Sequence, residues 1–189
     1  RNRKLSKETL NFIRSASKDA RPMAVLRTAV SNLGLSDKDA DNLSKESLIK
    51  KNIKLIAQIP TIIAAFNRIR KNKKIIIPRN DLSHAANFLY MLSGKRPDKD
   101  DERIFDVCLV LHAEHELNAS VFSARVTAST LSDLYSAVTS AIGTLKGELH
   151  GGANEKVLNM KKEKGKEENV DSYLQKKLDA KERIMGFGH

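Results

Sequence analysis

The feature that most constrains this chain is helix-spaced apolar residues recurring along nearly its whole length, with no segment that can be paired as a sheet. The longest example runs from about Lys45 to Arg70 and carries Leu48, Ile53, Leu55, Ile56, Ile59, Ile62, Ile63 and Phe66. Its second half is apolar on most sides, so deep burial is expected. Pro60 is expected to kink or break it near Ile59, because a proline inside a helix lacks the N–H and crowds the preceding turn. "KIIIPRND" (74–81) could pass for a short strand. Pro78 and the lack of a partner strand make it an extended linker instead.

The other segments read the same way. Pro22 can open a helix in which Met23, Leu26, Ala29, Val30 and Leu33 share a face, with Gly34 placed to stop it. "SHAANFLYMLSG" (83–94) is a compact helix closed by Gly94. Asp98 can cap the next one, with Asp100, Asp101 and Glu102 in its first turn; Ile104, Val107, Cys108, Leu109 and Leu111 are expected to be buried. A single helical stretch, rich in Ala, Ser and Thr, is expected over 121–145, and its small residues suit close packing at a subunit or domain interface. A glycine break follows at 147–155, then two short helices at 156–162 and 169–182. The fold class is therefore all-α, with a boundary near 151–155, where the composition becomes more charged.

With 34 Lys and Arg against 23 Asp and Glu, the net charge is +11. Nucleic acid is the obvious partner to test against that number. The basic runs "RNRK" (1–4), "KK" (50–51) and "RIRKNKK" (68–74) fall at helix ends or turns, "KKEKGKEE" (161–168) mixes both signs, and Trp is absent. Base-stacking platforms are thus scarce, and no nucleic-acid partner is expected; a basic field suits small anionic substrates equally well. The single Cys108 excludes an internal disulfide, fits a reducing compartment such as the cytoplasm, and reads as a buried, inert thiol among Val107, Leu109 and Val110. The apolar run at 107–110 is far too short to span a bilayer. Neither a membrane partner nor a secretory leader is expected.

Four of the five histidines have unusual settings. His84, within 83–92, reads as an ordinary structural side chain. His112 and His115 are spaced i, i+3, but "HAEHE" matches no zinc-protease pattern. One cysteine cannot complete a deaminase zinc site, so no metal is expected. His150 precedes Gly151 and Gly152, and His189 follows Gly186 and Gly188. Glycines there remove side chains, so a bulky ligand can lie against backbone N–H groups beside an imidazole. Imidazole is readily tuned for proton transfer near neutral pH. The pair of loops points to acid–base chemistry on a sizeable substrate.

"HAEHELNAS" (112–120), "LKGELHGGANE" (145–155) and "IMGFGH" (184–189), in this order and spacing, resemble the citrate synthases; so do "PMAVLRTAVSNLG" (22–34), "IAQIPTIIAAFNRIR" (56–70) and "HAANFLYMLSGKRP" (84–97). Where the family often has His-Pro-Met-Asp, this chain has Arg21, Pro22, Met23 and Ala24, a departure expected to affect local packing only. In the family the glycine–histidine loop continues into an Arg and a basic stretch, and the catalytic aspartate lies further downstream. The chain is accordingly expected to be an internal fragment cut at both ends, and inactive by itself. The resemblance implies an all-α, homodimeric, cytoplasmic transferase of the tricarboxylic acid cycle, with 1–150 in a large domain and 151–189 opening a small one. It implies condensation of acetyl-CoA, as co-substrate, with oxaloacetate, and no permanently bound cofactor. His150 would hydrogen-bond the thioester oxygen, His189 would bind and protonate the oxaloacetate carbonyl, and His115 would bind oxaloacetate. Leu149, Ile184, Met185, Gly186, Phe187 and Gly188 would pass near the CoA adenine. Two alternatives stand beside this: a 2-methylcitrate synthase using propionyl-CoA, and a basic, helical, non-catalytic binding protein.

Overall fold

The computed structural model describes residues 2–184 and Gly186. The elements are α1 (Lys7–Ser15), α2 (Pro22–Leu35), α3 (Lys45–Arg70), α4 (His84–Ser93), α5 (Lys99–Leu111), α6 (Ala119–Ser129), α7 (Leu134–Leu145), α8 (Gly152–Lys164), a 3-10 turn (Glu167–Asn169) and α9 (Val170–Asp179). No strand occurs among the described residues. The chain divides into two compact units, Arg1–Gly143 and Thr144–His189.

In the first unit α3 is the central element, packed against α1, α2 and α4. The core joins Ile13 of α1, Val25, Leu26, Ala29, Val30 and Leu33 of α2, Leu55, Ile62, Ala65 and Phe66 of α3, and Tyr135 and Ile142 of α7. Local chemistry sets several helix ends as the sequence predicts. Pro22 stands at the first turn of α2. Gly94 closes α4 in the left-handed region (φ 89°), its N–H bound to the Tyr90 carbonyl. Asp98 caps α5 by accepting from the Asp101 N–H at 2.8 Å. Residues 74–81 contain no strand, as expected of a linker.

Several expectations are corrected. α3 is not broken at Pro60 but runs from Lys45 to Arg70. An interior proline costs about 3 kcal/mol, and burial of Leu55, Ile62, Ala65 and Phe66 around it outweighs that cost. The second half is buried at Thr61, Ile62, Ala64, Ala65 and Phe66, as expected, with Ile63 the exposed apolar position; in the first half Ile53 and Ile56 are exposed. Gly34 does not end α2; it lies within it, where a Cβ would come 3.1 Å from the Cβ of Tyr135. The expected helix over 121–145 is two helices, α6 and α7. Leu131 turns the chain at φ 60°, and Asp133 accepts from the Ser136 N–H at the start of α7. α5 buries none of its residues, and Cys108 is exposed. This helix is anchored to α4, with Phe105 stacked on Phe88 at 5.1 Å, while Ile104, Val107, Val110 and Leu111 are exposed. α8 begins at Gly152, not at 156, and α9 ends at Asp179, before 182.

One helix was missed. α1 has Ser6 as its cap, accepting from the Thr9 N–H at 3.1 Å, and it buries Thr9 and Ile13. The segment before it is strapped to α3: Thr61 Oγ1 donates to the Arg3 carbonyl and Gln58 Nε2 to that of Lys4, both at 2.9 Å.

The loop after α2 is held by buried polar groups. The ammonium of Lys51, 3% exposed, donates to the carbonyls of Asp39, Ala40 and Asn42 at 2.8, 2.8 and 2.7 Å. The Tyr135 hydroxyl donates to Asp37, which also pairs with Lys54 at 3.4 Å. Burial pushes the Asp37 carboxyl up, but the Tyr135 hydroxyl, the Asp39 N–H and Lys54 outweigh it and hold it below its ordinary value. Burial, then the hydrogen bond to Asp37, pushes the Tyr135 phenol up. A depressed carboxylate contributes stability above its unfolded value of 3.8 and loses it as pH falls through the lower folded value. Tyr135→Phe should therefore cost about 1–3 kcal/mol at pH 7. The difference from the parent should shrink as the pH drops below about 3.8. Urea titrations of both proteins at several pH values check this; a pH-independent difference would remove Asp37 from the account.

Candidate active site

His112, His115 and Asn118 lie where α5 gives way to α6. His112 caps α5, its N–H on the Cys108 carbonyl at 3.2 Å and its Nδ1 within 2.7 Å of the same oxygen. This imidazole is anchored to the helix end through Nδ1. Asn118 begins α6 by accepting from the Val121 N–H at 2.9 Å. Between the two ends, Glu116 sits at φ 51° with its N–H bonded to the Glu114 carboxylate. His115 is exposed in this fixed turn, in the first unit.

His150 is half-buried in the turn between α7 and α8, in the second unit. The Gly147 carbonyl accepts from the N–H groups of both His150 and Gly152, at 3.1 and 3.0 Å, and the His150 carbonyl accepts from Ala153 at 3.0 Å. A Cβ on Gly151 would lie 2.6 Å from the Leu145 carbonyl oxygen, and one on Gly152 would lie 2.8 Å from that of Gly147. The glycines thus serve backbone packing within the turn, whereas the sequence suggested room for a ligand. Gly147 and Lys156 were missed as contributors to this turn. Gly147 could have been found from the glycine spacing in "KGELHGG". Lys156, which pairs with Glu148 at 2.9 Å, carries no comparable sequence signal.

Of the proposed CoA-side residues, Leu149 is 88% exposed. Ile184 is half-buried beside a hollow of about 240 Å³ that includes Lys156, Tyr173, Lys177 and Arg183. Gly186 adopts φ 91°, where a Cβ would meet Val157 at 3.2 Å. Met185, Phe187, Gly188 and His189 lie outside the described residues. His84 lines an apolar hollow of about 290 Å³ with Pro60, Phe88, Phe105 and Leu109. Burial, reinforced by the charge of Arg3, pushes its imidazole down, while Asp106 opposes this. Among the described residues, no group of three or more His, Cys, Asp or Glu side chains could hold a metal ion.

Residues 1–189 match the family described as "Citrate synthase, C-terminal domain". The chain belongs to the citrate synthase family. The citrate synthase of Deinococcus radiodurans is 50% identical to it over 188 residues, covering 100% of this chain and 50% of that protein. The citrate/2-methylcitrate synthase of Bacillus subtilis is 44% identical over 185 residues, covering 98% and 50%. The solved ternary complex of the Thermoplasma acidophilum citrate synthase with carboxymethyl coenzyme A and oxaloacetate is similar with a TM-score of 0.91 and 28% identity, covering 100% of this chain and 49% of that one. The chain spans about half the length of the curated relatives it matches.

The turn around His150 makes a prediction that separates space from backbone preference. Gly151 has a helical φ of −61°, so alanine there is opposed not by backbone preference but by Leu145, whose carbonyl oxygen would lie 2.6 Å and whose Cδ1 2.8 Å from the new Cβ. Gly151→Ala should destabilise by about 1–3 kcal/mol through overpacking. Gly143 lies inside α7 with 3.8 Å to its nearest neighbour, so Gly143→Ala should stabilise by about 0.5–1 kcal/mol. Thermal melts of the two variants should move in opposite directions.

Proposed function

We propose that this chain is part of a citrate synthase, in which acetyl-CoA, oxaloacetate and water give citrate and CoA. The observation that carries the reading is the match of the whole chain to the family, with the three histidine motifs in order. The difficult step is removal of a methyl proton from the thioester by a carboxylate, a weak base that ordinarily titrates near pH ~4. The enol oxygen then needs a donor aimed at it in advance. His150 is proposed for that role. The turn that bonds its backbone to Gly147 supports this, because a pre-positioned donor needs no reorganisation as charge develops.

His115 is proposed to bind oxaloacetate, and His189 to bind its carbonyl and protonate it as the carbon–carbon bond forms. Leu149, Ile184, Met185, Gly186, Phe187 and Gly188 are proposed to flank the CoA adenine. The exposure of the apolar Leu149 side chain agrees with that assignment. The net charge of +11 would draw in both anionic substrates. We further propose that 1–150 belongs to the large domain and 151–189 to the small one, in a cytoplasmic homodimer. A second reading, 2-methylcitrate synthase with propionyl-CoA, is favoured by the Bacillus subtilis relative. One methylene separates the two thioesters, worth about 1–3 kcal/mol in a pocket.

In a synthase carrying this sequence, His150→Ala should lower kcat about 100- to 1000-fold, because it removes a donor used mainly in the transition state. His84→Ala should change kcat by less than about threefold, consistent with a structural side chain. Steady-state kinetics with acetyl-CoA and propionyl-CoA measure both the roles and the choice of thioester. Equal losses from the two substitutions would contradict the site, and a higher kcat/KM for propionyl-CoA would favour the second reading.

A further inference from the structure

A cleft of about 550 Å³ lies between the start of α2, the C-terminal half of α3 and the end of α4. This is within the range of about 300–1,000 Å³ typical of small-molecule sites. Its floor is the buried Leu26, Ile62 and Phe66, and its walls are the half-buried Met23, Phe88 and Leu92. The exposed Arg70 and Lys71 stand at its edge. The Arg70 guanidinium lies 5.8 Å from the Phe66 ring centroid, and its Nε donates to the Lys18 carbonyl at 3.0 Å. A fixed positive charge therefore adjoins the apolar floor.

The surrounding sequence is unusual in its charge. Segments 22–35, 59–75 and 84–97, which supply the walls, contain no Asp or Glu, although the chain has 23 acidic residues. The same segments carry Arg27, Arg68, Arg70, Lys71, Lys73, Lys74, Lys95 and Arg96. Helix-end cations are ordinarily explained by the helix dipole. Arg68 fits that account of a structural role, since it donates to the carbonyls of Lys74 and Leu92. Arg70, Lys71, Lys73 and Lys74 are in no ion pair among the described residues. An apolar channel with an unneutralised cationic edge complements one kind of small ligand.

We infer that this cleft binds a single-chain anionic amphiphile, with the hydrocarbon chain along Leu26, Ile62 and Phe66 and the carboxylate at Arg70 and Lys71. The inference is independent of the reaction proposed above. Calorimetric titration of the full-length protein that carries this sequence with decanoate, dodecanoate and tetradecanoate, each below its micellar concentration, tests it. One equivalent should bind, with affinity rising about three- to fourfold per methylene until the cleft is filled. Dodecyltrimethylammonium should bind at least tenfold more weakly than dodecanoate. Ile63 lines the cleft and is 37% exposed, so Ile63→Asp adds a carboxylate without emptying the core and should weaken dodecanoate at least tenfold. Lys71→Gln should weaken it about threefold and flatten its salt dependence. Ile104→Asp, on the exposed face of α5, should leave binding unchanged. Should Ile63→Asp fail to fold by circular dichroism, Lys71→Gln and the ammonium comparison decide the matter. Several equivalents, equal binding of the cationic amphiphile, equal losses in the Ile63 and Ile104 variants, or no binding at all would each overturn the proposal.

Discussion

The first unit depends on the approach of Tyr135 to Gly34. The ring can come this close only because residue 34 has no side chain; any Cβ would lie within 3.3 Å of three ring and Cβ atoms of Tyr135. A tyrosine 2% exposed brings a hydroxyl into the interior, and such a group is costly without a partner. Asp37 supplies it, just past the end of α2, and Lys54 of α3 balances the charge. One side chain on α7 thereby fixes the end of α2, the following loop and a point on α3. Lys51 completes the arrangement from below, with all three ammonium hydrogens matched to loop carbonyls. α3 can then serve as the common wall for α1, α2 and α4.

Much of this was readable in the sequence, and the unreadable parts share a cause. Caps and stops are local: Asp98 with an acidic first turn, Gly94 after an apolar helix, and Pro22 at a first turn each carry their own mechanism. Apolar periodicity is also local, and it reports that a helix has an apolar face without saying what covers that face. α5 shows the difference. Its Ile104, Val107 and Leu111 have the expected spacing, yet all are exposed. Gly34 fails in the same way, since its purpose depends on a residue about a hundred positions later that no local pattern reveals. The α6–α7 break was hidden for another reason: Leu131 turns the chain at φ 60° in a stretch without glycine or proline.

At the candidate site, the sequence and the structure give different reasons for glycines beside His150. The expected use of Gly151 and Gly152 was to admit a ligand to the backbone. The observed constraint is internal, because the turn folds back so tightly on the carbonyls of Leu145 and Gly147 that a methyl group has no place there. The two uses make different demands. Room for a ligand would tolerate a small side chain when no ligand is present, whereas a collision with backbone oxygen persists in every state. A turn under the second kind of demand holds the backbone of His150 at one position, whatever is bound. That suits the donor role proposed for His150, since reorganisation at the moment of reaction would use up much of the stabilisation such a donor offers. His112 and His115 make the same distinction by contrast. They are three residues apart, yet the first is tied by its ring and its N–H to the last turn of α5, while the second stands past that end, in the turn before α6. Both rings are exposed, but that of His112 is oriented by its Nδ1 bond to the helix end, whereas His115 stands in the turn beyond it.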